Sequence, residues 1–259
     1  MNQIVRSKAF RLAREEASRS IEEERLHRKQ RLAAGYRIFA QRGYDLSLAG
    51  HISARDPEHH DRFWVGPLGP WFGHIKVSNL VLVDHNGNIL QGDYPINQAG
   101  FAIHSELHKA RPDVIAAAHS HSIYGKAWSA LGRLLDPISQ DSCFFYENHA
   151  LFETFSGIVL DSSEGERIAR ALGDKRAVIL QNHGILTVGK SVDSAVASYV
   201  VMENTCQTQL LAEAAGTIKP IGHEVARYTA NQMTGADPGA FGFGPLYARI
   251  VAEQPDLLD

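Results

Sequence analysis

Val114-Ile115-Ala116-Ala117-Ala118-His119-Ser120-His121 is the stretch on which the reading of this chain turns. Its first five residues are small or β-branched and uncharged, the composition of a buried strand. Side chains at i and i+2 of a strand point to the same face, so the imidazoles of His119 and His121 are expected to project together where the strand opens into a loop. A second apolar run, Ala177-Val178-Ile179-Leu180, ends in Gln181-Asn182-His183-Gly184 and offers a third imidazole at a matching place. Three neutral ring nitrogens suit one divalent transition metal and leave positions open for substrate or water. The same donors take Zn or Fe(II), and Co or Mn as further possibilities, so the metal's identity stays open at this level.

Bulk composition narrows the function classes. A chain of 259 residues with 44% hydrophobic and 21% charged content is expected to form one large domain, alone or with extensions. The net charge of -3 gives no basic patch for nucleic acid or an anionic membrane surface. Cys143 and Cys206 make no disulfide framework. No apolar stretch approaches the ~20 residues needed to span a bilayer, and the Arg- and Glu-rich first thirty residues lack a signal-peptide core. A cytoplasmic location is the default expectation.

Outward from the histidine strand, residues 7 to about 42 read as one or two helices, ended by Gly43 as a C-cap. Gly50-His51-Ile52-Ser53, Phe63-Trp64-Val65 and Leu80-Val81-Leu82-Val83 read as short strands between prolines and the turn Asn86-Gly87-Asn88. Residues 98–110 fit a helix stopped before Pro112. A further helix is expected from Ser122, whose side chain is a suitable N-cap. Residues 164–172 and 191–215 complete the helices, and the Gly- and Pro-rich stretch after 216 reads as irregular. The expected organisation is a helical arm over 1–34, a mixed α/β domain over 35–215 and a tail over 216–259.

The succession GHIS (50–53), VSNLVLVD (77–84) with NG (86–87), HSELHKARPDV (104–114), HSHS (119–122) and NHGILTVG (182–189) resembles the class II aldolase/adducin family over roughly residues 35 to 215. The resemblance implies a three-layer α/β/α fold around a mixed, largely antiparallel sheet. It also implies a homotetramer with sites at subunit interfaces and a metal held by His119, His121 and His183. Two departures stand out. The family's catalytic glutamate, four residues before His104, is Gly100 here, and the preceding serine pair that holds phosphate is replaced by Asn97-Gln98-Ala99. The family's Gly-Asn-Ile/Leu-Ser loop carries His51 in place of asparagine. The metal ligands are therefore kept, whereas the phosphate site and the usual carboxylate are lost.

His51, with an ordinary pKa near 6.5, is a candidate for substrate contact or acid/base work in place of the lost glutamate. Tyr146 matches a family tyrosine that donates a proton at a neighbouring subunit's site. Glu147 and His149 are nearby groups able to replace the carboxylate, and Gln98 and Trp71 are candidate substrate contacts. Arg55 and Lys76 are available for an anionic substrate, while His104 and His108 read as structural. Aromatic residues around Gly66–Pro70 favour a carboxylated, flatter or aromatic small molecule over a sugar phosphate. The expected activity is metal-dependent cleavage or formation of a C–C bond in a non-phosphorylated 2-oxo or 2-hydroxy acid, as an aldolase or decarboxylase. Two alternatives are a non-haem Fe(II) oxygenase cleaving aromatic 2-oxo acids or mandelates, and a non-catalytic, adducin-like binding protein.

Overall fold

The computed structural model describes residues 19–158, 162–234 and 242–259. Eight strands form one sheet: β1 (Gly50–Arg55), β2 (Arg62–Val65), β3 (Val81–Asp84), β4 (Ile89–Gln91), β5 (Ala116–Ser120), β6 (His149–Phe152), β7 (Ala177–Leu180) and β8 (Gly184–Gly189). Their order is β4-β3-β2-β1-β5-β8-β7-β6, and every pairing is antiparallel except that of β6 with β7. The seven α-helices of the described residues are α1 (Ile21–Gln41), α2 (Gln98–Ala110), α3 (Ile123–Ser129), α4 (Ser162–Leu172), α5 (Val192–Ala215), α6 (His223–Thr234) and α7 (Gly244–Glu253).

Strand alternation explains the three layers. Ala116 and Ala118 of β5 and Ala177 and Ile179 of β7 pack in one core with Leu32, Phe39, Val196, Tyr199 and Ile250 from α1, α5 and α7. Ala117, Val178 and Leu180, on the opposite face, join Ile103 and Leu107 of α2 with Ile168 and Leu172 of α4. Because both faces are covered, these strands read as unbroken apolar runs rather than alternating ones. The alanines of β5 leave room for helices to sit close to the sheet.

Two expectations change. α1 runs unbroken past residue 34 with Leu32 to Phe39 buried, so the arm and the domain share one helix. Its start is a capping box, in which Ser20 accepts from the Glu23 amide; residues 1–18 lie outside the described residues. The stretch after 216 is not mostly irregular, since α6 and α7 occupy it. Ile250 and Leu257 are fully buried there, and Arg37 donates to Gln254 and Asp256. The helical spacing of apolar residues in 246–251 was masked by flanking glycines and prolines.

Candidate metal centre

Three strand ends converge to build the site. β5 pairs antiparallel with both β1 and β8, and β7 pairs antiparallel with β8, so the end of β5, the end of β7 and the start of β1 share one edge of the sheet. His119 is the fourth residue of β5 and faces His51 directly across the β1 ladder. His121 follows one residue after the strand. His183 sits in the three-residue connection between β7 and β8, where Leu180 pairs with Gly184. That turn needs a left-handed residue, and Asn182 takes it with φ 60.

The three rings touch one another: centroids are 5.3 Å apart for His119–His121, 4.7 Å for His119–His183 and 4.8 Å for His121–His183. One ring nitrogen of each lies within 4.8 Å of the others, and this is the one such cluster among the described residues. His119 Nδ1 donates to the Ile185 carbonyl at 2.9 Å, which leaves Nε2 as a bare lone pair. That Nε2 is buried and has no hydrogen-bond partner. A buried imidazole nitrogen with its second nitrogen anchored to backbone is the arrangement a metal ligand requires. Burial pushes the pKa of His183 down to about 4 and lowers that of His121, which favours the neutral, cation-binding form of both rings.

The loop carrying His121 is held from behind by residues that sequence reasoning missed. Ser122 stands at the N-cap of α3, but its hydroxyl does not cap the helix. It donates instead to Glu203 at 2.5 Å and contacts Tyr199. Glu203 does the capping, accepting from the amides of Tyr124 at 2.9 Å and Gly125 at 2.7 Å. Tyr199 also donates to the Ser120 carbonyl at 2.9 Å. Both lie in α5, far along the chain, and nothing local marks them.

His51 is buried, and its ring centroid lies 4.8 Å from that of His119. A methyl added at Gly100 would sit 2.5 Å from His51 Cδ2 and 2.7 Å from Cγ. The imidazole thus fills the space that any side chain at residue 100 would enter. Glycine at residue 100 and histidine at residue 51 are therefore sterically matched in this chain. Gln98 opens α2 two residues before Gly100, and Trp71 lies six residues beyond the end of β2. Both are exposed, and the Trp71 indole donates to Asp45.

Tyr146, Glu147 and His149 are elsewhere within the chain. β6 runs parallel to β7 and starts opposite Ala177, so these residues lie at the far edge of the sheet from His183. The expected substrate role of His149 does not survive: its Nδ1 donates to the Phe145 carbonyl at 2.7 Å and its Nε2 accepts the Leu135 amide at 2.9 Å. Both nitrogens are consumed in locking the backbone. Glu147 pairs with Arg227 at 2.9 Å, and the Tyr146 hydroxyl meets His223 Nδ1 at 2.5 Å. Arg55, a possible anion anchor, is buried and spends its guanidinium on the carbonyls of Val114, His60, His108 and Arg111. Lys76 is engaged with Asp256 and Asp259.

Comparison with known proteins agrees with this architecture. The family described as class II aldolase and adducin N-terminal domain matches residues 30–210. The chain belongs to the class II aldolase/adducin family. It is 42% identical to a 4-hydroxy-3-prenylphenylpyruvate oxygenase/4-hydroxy-3-prenylbenzoate synthase of Streptomyces roseochromogenus subsp. oscitans, over 91% of this chain and 86% of that one. It is equally 42% identical to the decarboxylase NovR of Streptomyces niveus, over 91% and 88%. Among solved structures, the L-fuculose 1-phosphate aldolase from Glaciozyma antarctica PI12 superposes with a TM-score of 0.88 at 43% identity, covering 97% of this chain and 99% of that one.

Proposed function

We propose that this protein is a metal-dependent enzyme that breaks or makes a C–C bond beside the carbonyl of a non-phosphorylated 2-oxo or 2-hydroxy acid, as a decarboxylase or aldolase-type lyase. The observation that carries the reading is the buried, orphaned Nε2 of His119 inside a three-imidazole cluster, beside a His51 that has displaced the usual carboxylate. His119, His121 and His183 would hold one divalent ion, Zn or Fe(II) in the first instance. Bound there, such an ion supplies Lewis-acid polarisation of a carbonyl or carboxylate oxygen. His51 is the group at hand to donate a hydrogen bond or proton to the oxygen on which enolate charge develops. Trp71 and Gln98 are the exposed side chains assigned to contact a flat or aromatic substrate. Tyr146 serves as a proton donor to a neighbouring subunit's site in a homotetramer, so Tyr146→Phe lowers kcat with metal content unchanged.

A second reading, an iron-dependent oxygenase acting on an aromatic 2-oxo acid, is favoured by the similarity to the Streptomyces roseochromogenus protein, which is named an oxygenase. One experiment separates the two. Purified protein is incubated with aromatic and aliphatic 2-oxo and 2-hydroxy acids while oxygen uptake, carbon dioxide and organic products are followed. Product formation under argon supports the lyase, product formation that requires and consumes oxygen supports the oxygenase, and no product with any acid contradicts both.

A further inference from the structure

Tyr146 stands at the corner of a turn whose conformation its own sequence does not favour. The Asn148 amide donates to the Phe145 carbonyl at 2.9 Å, Tyr146 has φ -60 and ψ 122, and Glu147 has φ 56. These are the marks of a type II turn, whose third residue is ordinarily glycine or asparagine because other side chains are strained at positive φ. Such strain persists only where the surroundings hold it, and it clusters at functional sites. Two long side chains hold it here. Lys175 Nζ donates to the Glu147 carbonyl at 2.9 Å, and Arg227 grips the Glu147 carboxylate through Nε at 3.0 Å and Nη2 at 2.9 Å.

Arg227 reaches the turn from α6, and so does the group that meets Tyr146. His223 and Arg227 are four residues apart on that helix and share one face. His223 Nδ1 lies 2.5 Å from the Tyr146 hydroxyl, with the rings edge to face and their centroids 5.7 Å apart. Whichever atom donates, the phenol oxygen is fixed in place. Two consecutive turn residues are thus each held by one side chain of a single helix. That helix lies beyond residues 30–210, the extent of the family match. The turn leads into β6, an outermost strand of the sheet.

We propose that His223 and Arg227 are positioning residues that set the Tyr146 hydroxyl where it serves a neighbouring subunit's site. His223 acts by its bond to the phenol oxygen, and Arg227 by keeping the turn in its strained form. The role of Tyr146 rests on the reading given above; the clamp itself does not.

The test uses full-length protein labelled with 3-fluorotyrosine, the Tyr146 19F resonance being assigned with Tyr146→Phe. His223→Ala should shift that resonance, and His223→Asn, whose amide can stand in for Nδ1, should return it toward its original position. A Tyr146 resonance indifferent to His223→Ala overturns the proposal. With a 2-oxo or 2-hydroxy acid that is turned over, His223→Ala should lower kcat about ten- to a hundredfold, with KM and metal content unchanged. In a Tyr146→Phe background the same change should cost nothing further. An equal loss in both backgrounds overturns the proposal, because His223 would then not act through Tyr146. Arg227→Ala should also lower kcat, and adding Glu147→Gly should restore it, since glycine takes a positive φ unaided. Full kcat in Tyr146→Phe would refute the role read for Tyr146 and overturn the catalytic half of the proposal, whereas the fluorine spectrum needs no substrate and decides the clamp by itself.

Discussion

Replacing Gly100 with alanine tests whether residues 51 and 100 form one sterically matched pair. The added methyl would meet His51 Cδ2 at 2.5 Å and Cγ at 2.7 Å, whereas carbon atoms settle at about 3.5–4.0 Å. The ring must retreat by roughly 1 Å. It has little room, being held by the 2.7 Å contact to His104 and lying with its centroid 4.8 Å from that of His119. Overpacking of this kind costs about 1–3 kcal/mol, and loss of the buried hydrogen bond adds about 1 kcal/mol. Alanine's better helix propensity offsets at most about 1 kcal/mol, because residue 100 sits in the first turn of α2. The net expectation is a loss of about 1–3 kcal/mol. In a His51→Ala background the clash vanishes, and the same Gly100→Ala change should be neutral or slightly stabilising. Urea unfolding of the four proteins of this cycle, with chelator and at one fixed protomer concentration, gives the coupling directly. An equal effect of Gly100→Ala in both backgrounds would refute the reasoning.

Other consequences follow from named contacts. His149 is buried with its pKa pushed down to about 4, against an ordinary 6.5. Between those values the unfolded chain binds a proton that the folded chain refuses, so stability rises with pH and is lost as pH falls from about 6.5 toward 4. His149→Asn should remove about 1.4 kcal/mol per pH unit from that slope in unfolding curves, and an unchanged slope would contradict the assignment. Glu203→Ala strands the Ser122 hydroxyl and two amides at the start of α3. A loss of about 2–4 kcal/mol is expected, with weaker metal retention because the His121 loop loses its support, read by thermal unfolding and metal titration. Retention equal to that of the unmodified protein would show that the loop holds itself.

Much of this architecture is legible in the residues. The helix at 98–110 and the strands around residues 51, 64, 82 and 178 announce themselves because periodicity, prolines and turn residues agree there. The histidine cluster is legible too, since His119, His121 and His183 each close an apolar run. What stays hidden depends on contacts between distant segments. The room for His51 is made by the absence of a side chain at residue 100, roughly fifty positions away, and glycine in a helix otherwise reads only as a weak helix former. Glu203 looks like any acidic residue on a long helix until α5 places it under α3. His149 misleads for the opposite reason: its position beside aromatic and acidic residues resembles a site, yet two backbone partners 4 and 14 residues away consume its nitrogens. The helices after residue 216 are hidden because their apolar faces are short and bounded by breakers, and the core supplies their stability.

The most direct test of the metal centre is the transition-metal content of protein purified without chelator, measured beside His119→Ala prepared identically. About one equivalent of zinc or iron per chain, lost in the variant while its circular dichroism is retained, is the expected result. A chain that stays free of metal after supplementation, or a His119→Ala protein that keeps its full equivalent, would contradict the account.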